Sequence, residues 1–293
     1  MTKRLPPPRI AAIHDLSCFG RCALTVIIPT LSVMGYQVVP IPTAFLSTHT
    51  GGFTDLHFRD LTADMEATSE HFDRLGIAFR AIYTGFLGSA EQIRTVSEII
   101  ERFGSTPDES GKQPLILVDP VMGDDGALYS TYTPELMRGM RELCHHAHLL
   151  TPNLTEACFL TDTPYQDTLE MDPEEAIAFA DVLLDKLRTV TDGRIVITGI
   201  ALTNGTLANV GRDEGGTRFT VIRPHEAQHY PGTGDLFASV LLGKLLDGVS
   251  FPDAVAVAAD FTGTVMHDSA TIDTLARDGV ALEYHLGRLI GQK

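Results

Sequence analysis

Apolar and polar positions alternate along this chain in two periods, and the two take turns from one end to the other. A short apolar run at residues 10–13 predicts a strand, and residues 22–34 follow with helical spacing up to Gly35. Residues 38–42 read as a second strand, followed at 47–54 by a polar loop rich in Thr, His and Gly. Residues 61–75 read as a helix with Gly76 as its C-cap. A short strand at 81–84 precedes Ser89, which has Gln92 three residues on, a capping-box signature opening a helix over 90–103. There Ile93, Val96, Ile99, Ile100 and Phe103 recur at helical spacing and give one apolar face.

Residues 115–118 are continuously apolar, as expected of a strand covered on both faces. Thr133-Pro134 and Asp172-Pro173 each set a capping residue before proline at the first helical position, predicting helices over 134–144 and 173–187. Strands are expected at 149–150 and 195–198, and an antiparallel pair at 206–210 and 219–222. Helical stretches at 234–246, 253–267 and 280–290 close the pattern. Such alternation predicts an α/β fold with a mostly parallel sheet, whose ligands bind at the carboxyl ends of the strands.

Composition narrows the partners. Lys and Arg number 22 against 38 Asp and Glu, a formal net charge of −16 over 293 residues. A surface so charged repels phosphate backbones and anionic lipid, so neither nucleic acid nor membrane is expected as a partner. No window reaches the ~18 uninterrupted apolar residues of a membrane span. Lys3 and Arg4 lead into Pro6-Pro7-Pro8, where a signal peptide needs an apolar run, so a cytoplasmic location is expected. Cys18, Cys22, Cys144 and Cys158 fit no disulfide scaffold or zinc set and read as reduced thiols.

Familiar phosphate motifs are missing. Gly111-Lys112 is followed by Gln113 and Gly243-Lys244 by Leu245, so neither completes a P-loop. Gly232-Thr233-Gly234 begins like a dinucleotide fingerprint, but its sixth position is Phe237 and no buried strand precedes it. No G-x-S-x-G elbow occurs. Polar residues instead gather after the apolar strands: Asp119 to Asp124, Thr151 to Glu156, Thr198-Gly199, and Pro231 to Asp235 opening an apolar helix. Any one of these could be an ordinary cap or turn. Four at one rim point to a site. Asp119, Asp124 and Glu156 could hold Mg²⁺, directly or through its waters. Gly232, Thr233 and Gly234 at a helix start suit an anionic phosphoryl group, and Asp235 could accept the proton of an attacking hydroxyl. His145, His146 and His148 read as a solvated cluster at a helix end.

The run Pro231-Gly232-Thr233-Gly234-Asp235-Leu236-Phe237-Ala238-Ser239 resembles the signature of the ribokinase-like small-molecule kinases. The segments at 13–22, 45–51, 83–89, 119–124 and 151–156 narrow the resemblance to the pyridoxal kinase family, in order over residues 10–270. That resemblance implies a single three-layer α/β/α domain over 1–293, and commonly a homodimer; residues 1–8 are expected to form a flexible extension. It implies ATP-dependent phosphorylation of the 5′-hydroxymethyl group of vitamin B6, with ATP and Mg²⁺ required and a monovalent cation such as K⁺ as a further candidate. By motif, Asp235 matches the catalytic base and Gly232, Thr233 and Gly234 the anion hole. Ser17, Thr50 and Gly51 match the vitamer pocket, and Phe86 stands where many relatives carry a stacking Tyr. Asp119, Thr151, Glu156 and Thr198 match positions around the nucleotide and its metal, with Asp124 and Tyr129 in a segment over the phosphates. Cys18 falls at a variable position and Asp15 sits beside Ser17, which leaves the preferred vitamer open. Hydroxymethylpyrimidine kinases, a sister family, usually carry Cys where Asp235 stands and a Gly-rich run where this chain has Cys18-Phe19-Gly20-Arg21. A silent vitamer- or nucleotide-binding protein is the alternative from another class, but a pure binder needs no base at Asp235.

Overall fold

The structure is a computed structural model and describes residues 6–226, 228–272 and 275–290. The chain order is β1 (Arg9–Phe19), α1 (Leu24–Val33), β2 (Gln37–Thr48), β3 (Phe58–Asp60), α2 (Thr62–Arg74), β4 (Ala81–Thr84) and α3 (Ala90–Phe103). Then come β5 (Leu115–Val118), β6 (Gly123–Asp124), β7 (Ala127–Leu128), α4 (Pro134–Cys144), β8 (Leu149–Leu150) and α5 (Leu154–Leu160). The last are α6 (Pro173–Leu187), β9 (Arg194–Ala201), β10 (Thr206–Arg212), β11 (Arg218–Pro224), α7 (Thr233–Leu246) and α8 (Phe251–Ser269).

Nine strands form one sheet in the order β11-β10-β9-β8-β5-β4-β1-β2-β3. Neighbours from β2 through β9 pair parallel, and the outer strands β3, β10 and β11 pair antiparallel. The sheet is covered on both faces. Ala11 and Ile13 of β1 enter one apolar cluster with residues of α2 to α6. Ile10 and Ala12 enter another with α1, α7 and α8, as the two-residue period of a strand requires. The α1 crossover leaves β1 toward β2 on one face, and the α2 crossover returns from β2 past β1 to β4 on the other. Strand order thus reverses between β1 and β4, the position at which open α/β sheets form a ligand crevice.

The sequence pattern located α3, α4, α6, β4, β5 and β8 to the residue, because a cap or a buried apolar run marks each boundary. Three expectations need correction. First, β1 and β2 extend six residues further toward the rim than the apolar runs, because their ends carry polar site residues. Second, the stretch 280–290 is built of 3₁₀ turns, Leu282–Tyr284 and Leu286–Leu289, not an α-helix. Third, only half of the capping box at Ser89 forms. Ser89 accepts the Gln92 N–H, but the Gln92 side chain takes the Gly88 N–H and donates to the Thr43 carbonyl and to Asp60. Gln92 therefore ties α3 to the β2–β3 edge. Part of the expected N-terminal extension, residues 1–5, lies outside the described residues; Pro8 already accepts the Gln37 N–H at 2.9 Å.

Candidate active site

Helix α7 begins without a side-chain cap. Its N-cap, Gly232, has φ 79°, and the Thr233 hydroxyl turns away to donate to the Tyr230 carbonyl. The first-turn N–H groups are thus left for a ligand, at the positive end of a 14-residue helix. A Cβ on Gly234 would meet nothing within 4 Å, whereas a Cβ on Gly232 would lie 2.1 Å from the Arg21 carbonyl oxygen and 2.9 Å from Cys22 Cα. The two glycines do different work. Gly234 keeps the cradle open, and Gly232 lets the start of α7 seat on the loop after β1.

Asp235 completes that contact. Its Oδ2 accepts the Ala23 N–H at 2.7 Å, and Ala23 holds the uncommon φ of 48°. Strain of this kind persists where surrounding structure enforces it. Burial, with the negative charge of Asp15 added, pushes the Asp235 carboxyl up to about 7, although the Ala23 hydrogen bond opposes the rise. His14 Nδ1 stands 3.9 Å from Asp235 Oδ1. Burial drives the His14 imidazole down to about 3, so the pair is a neutral ring beside a carboxyl and not an ion pair. The sequence pattern did not single out His14, which looks like a core position of β1.

Asp119 follows β5 and is 7% exposed. Burial, then the charge of Asp235, raise it far above the usual carboxylate range, partly offset by Thr151. Glu156 is raised by burial first and then by the charge of Asp119, partly offset by its hydrogen bonds from Asn153 and Met122. Asn153 and Glu156 form a full capping box on α5, so the ordinary helix-start reading holds for this pair. Glu156 does more. Its Oε1 accepts the Met122 N–H at 3.0 Å and its Oε2 the Asn153 N–H at 2.8 Å, clamping the loop after β5 to that after β8. Both oxygens are then occupied, and among the described residues no three His, Cys, Asp or Glu side chains could ligate one metal ion. Of the two routes expected for Asp119, Asp124 and Glu156 to hold Mg²⁺, directly or through its waters, this spacing suits the water-mediated one.

Asp124 sits on the β6–β7 hairpin, whose Asp125-Gly126 turn takes φ of 48° and 76°, the pattern of a type I′ turn. Gly126 donates to Thr155 at 2.9 Å, seating the hairpin beside α5. Tyr129 follows the hairpin at 43% exposure, and its phenol is raised by burial and by the negative charge of Glu156, Asp124, Asp119 and Asp235. Thr198 lies within β9, bridged to Asn153 at the start of α5, and Gly199 beside it is exposed with open space at its α-carbon.

On the β1–β4 side, Ser17 is fully buried and its hydroxyl donates to Asp15 Oδ2 at 2.8 Å. Phe86 is half-buried and packs against the core. Thr50 and Gly51 lie exposed on the loop after β2. That loop is braced by His49, which accepts the Gly51 N–H at Nδ1 and reaches the Arg277 carbonyl at 2.6 Å through Nε2. Arg277 in turn lies over the Phe53 ring at 4.7 Å. His49 is a second residue that sequence reasoning passed over, because its role rests on contacts 228 positions away. Of the histidine cluster, His145 and His148 bond backbone groups of Val190 and Ile116, and all four cysteines are free thiols.

The arrangement joins an open anion cradle, a partly buried carboxyl poised near neutrality and a carboxylate cluster with no Lys or Arg paired to it among the described residues. Comparison with known proteins agrees with that chemistry. The phosphomethylpyrimidine kinase family model matches residues 10–277. A pyridoxine/pyridoxal/pyridoxamine kinase of Bordetella avium is 31% identical over 286 residues, covering 92% of this chain and 90% of that one. A Bacteroides thetaiotaomicron protein named as a phosphomethylpyrimidine kinase, solved with pyridoxal, superposes with a TM-score of 0.85 at 38% identity, covering 97% of this chain and 96% of that one. The pyridoxal kinase of Leishmania donovani, solved with ADP and pyridoxamine, gives 0.81 at 26% identity and covers 96% and 95%. With the site motifs in place and a relative aligned over nine-tenths of its length, the chain belongs to the pyridoxal kinase family of ribokinase-like kinases.

Proposed function

We propose that this protein transfers the γ-phosphoryl group of ATP to the 5′-hydroxymethyl of pyridoxal, pyridoxine or pyridoxamine. The observation that carries the reading is Asp235, a partly buried carboxyl raised to about 7 at the open N-terminus of α7. The vitamer alcohol gives its proton to Asp235 as its oxygen forms a bond to the γ-phosphorus. The bond from that phosphorus to the β-phosphate bridging oxygen breaks, and ADP leaves. N–H groups of Thr233, Gly234 and Asp235 offset the charge on the equatorial oxygens.

Buried like charges without cationic partners suit a divalent ion, and Mg²⁺ usually keeps several waters. Asp119 and Asp124 would hold it through such waters, with Glu156 adding charge from behind. When bound, Mg²⁺ neutralises phosphate charge. ATP lies along Thr151, Thr198 and Tyr129 in this reading, and the ring lies between Ser17, Phe86 and the loop at Thr50 and Gly51. The same reading makes 1–293 one cytoplasmic kinase domain acting as a homodimer. Exposed Phe45 and Phe58 at the β2–β3 edge support the dimer. No described helix is long and apolar enough to cross a membrane.

The test is ADP release with ATP and Mg²⁺ on the three vitamers and on hydroxymethylpyrimidine. Turnover of vitamers at a kcat/KM well above that of the pyrimidine is expected, and turnover of the pyrimidine alone would assign the chain to the sister activity. Phe86→Ala is expected to weaken vitamer binding by about 1 kcal/mol or more while ATP affinity holds, measured by calorimetry. A matched loss of both would make Phe86 a core residue only.

A pH dependence follows from Asp235. The base must be ionised, so kcat/KM for free enzyme is expected to fall about tenfold per unit below pH 7 and to level above it. Stability runs the other way. Folded Asp235 keeps its proton to about 7 while the unfolded chain releases it near 3.8, so stability falls as pH rises across that window. Asp235→Asn should remove its share of that fall in thermal-melt profiles.

A further inference from the structure

β1 and β2 lose register beside the site. His14 pairs with Pro42 and Leu16 with Phe45, so Asp15 faces two residues of β2, Thr43 and Ala44, across a bulge on β2. Bulges re-aim side chains and collect beside active sites. Asp15 is 9% exposed, and apart from its own backbone it has one hydrogen-bond partner among the described residues, the Ser17 hydroxyl on Oδ2. No Lys or Arg among the described residues pairs with Asp15 or Asp235. A carboxylate left so far from water, with one hydroxyl partner and only the nearby His49 ring adding favourable charge, is costly unless a ligand supplies the rest.

Its position says which part of the ligand that is. The adjoining residue, His14, approaches Asp235 to 3.9 Å, and Cys22 feels the charge of both Asp15 and Asp235. Asp15 thus stands beside the base. On the ring, the carbon next to the one bearing the reacting hydroxymethyl carries the substituent by which the vitamers differ. An aminomethyl group there is cationic near neutral pH and donates up to three hydrogen bonds. A hydroxymethyl donates one and an aldehyde none.

We propose that Asp15, oriented by Ser17, is the specificity-determining residue for the substituent beside the reacting hydroxymethyl, and that it makes pyridoxamine the preferred vitamer. The inference rests on the vitamer-kinase reading of this site.

The experiment measures kcat/KM for pyridoxamine, pyridoxine and pyridoxal with wild type, Asp15→Asn and Asp15→Ser at saturating ATP and Mg²⁺. Hydrogen bonds to charged groups commonly distinguish ligands by about tenfold or more. Wild type is expected to favour pyridoxamine over pyridoxal by that factor. In both variants the pyridoxamine-to-pyridoxine ratio is expected to fall about tenfold, with the change mainly in KM. Equal losses on all three vitamers, or a wild-type preference for pyridoxal, would overturn the role of Asp15 and leave the kinase reading intact. No turnover of any vitamer by wild type would overturn both. Should the variants not fold, calorimetry on wild type decides: tighter binding of pyridoxamine than pyridoxine supports the assignment, and equal affinities overturn it.

Discussion

Asp235→Asn is expected to lower kcat by ~10²–10⁴. An alcohol is a poor nucleophile until its proton is leaving, and Asn keeps the size of Asp without the charge that would take that proton. The amide oxygen can still accept the Ala23 N–H that fixes this position, so the start of α7 should hold its place. Vitamer and ATP dissociation constants should accordingly move far less than kcat. Single-turnover phosphorylation beside equilibrium binding separates the two. Activity should not vanish, because positioning and charge stabilisation supply much of phosphoryl-transfer catalysis. A variant with near-normal turnover would remove Asp235 as the base.

Gly232→Ala is the second large effect. The new methyl would sit 2.1 Å from the Arg21 carbonyl oxygen, a backbone atom that cannot rotate aside, at a residue whose φ of 79° already disfavours a side chain. Relief requires the start of α7 and the loop after β1 to separate. Those are the two segments that the Ala23–Asp235 hydrogen bond joins. A displacement near 1 Å at reacting groups costs on the order of 10²-fold in rate. The expected result is a kcat loss of that size with a lowered melting temperature. Gly234→Ala, whose methyl would enter open space, should melt like wild type while weakening ATP turnover through the cradle. If the two variants melted alike, the seating role of Gly232 would be wrong.

How far the sequence announced all this depends on the kind of signal. Helices α4 and α6 were legible because Thr133 and Asp172 cap them and proline follows each cap. The strand ends were not, since residues 14–19 and 43–48 mix polar site groups with apolar ones and break the period of two. The hairpin at Asp125-Gly126 and the short edge strand β3 are too brief for any periodicity to show. Asp235, Asp119 and Gly232 could be picked out because carboxylates and glycines beside apolar elements are conspicuous. His14 and His49 could not, because each acts through partners distant in the chain. Glu156 was found for its charge, yet its two oxygens are engaged by the N–H groups of Met122 and Asn153, a geometry that spacing alone does not reveal.

The measurement closest to the central claim is the identity of the product. Incubation with ATP, Mg²⁺ and pyridoxine, followed by phosphorus NMR, should show ADP and one new phosphate monoester in equal amounts, its phosphorus coupled to the 5′-methylene protons. Formation of ADP with inorganic phosphate alone, or of an ester at another ring oxygen, would contradict phosphoryl transfer to the hydroxymethyl held beside Asp235.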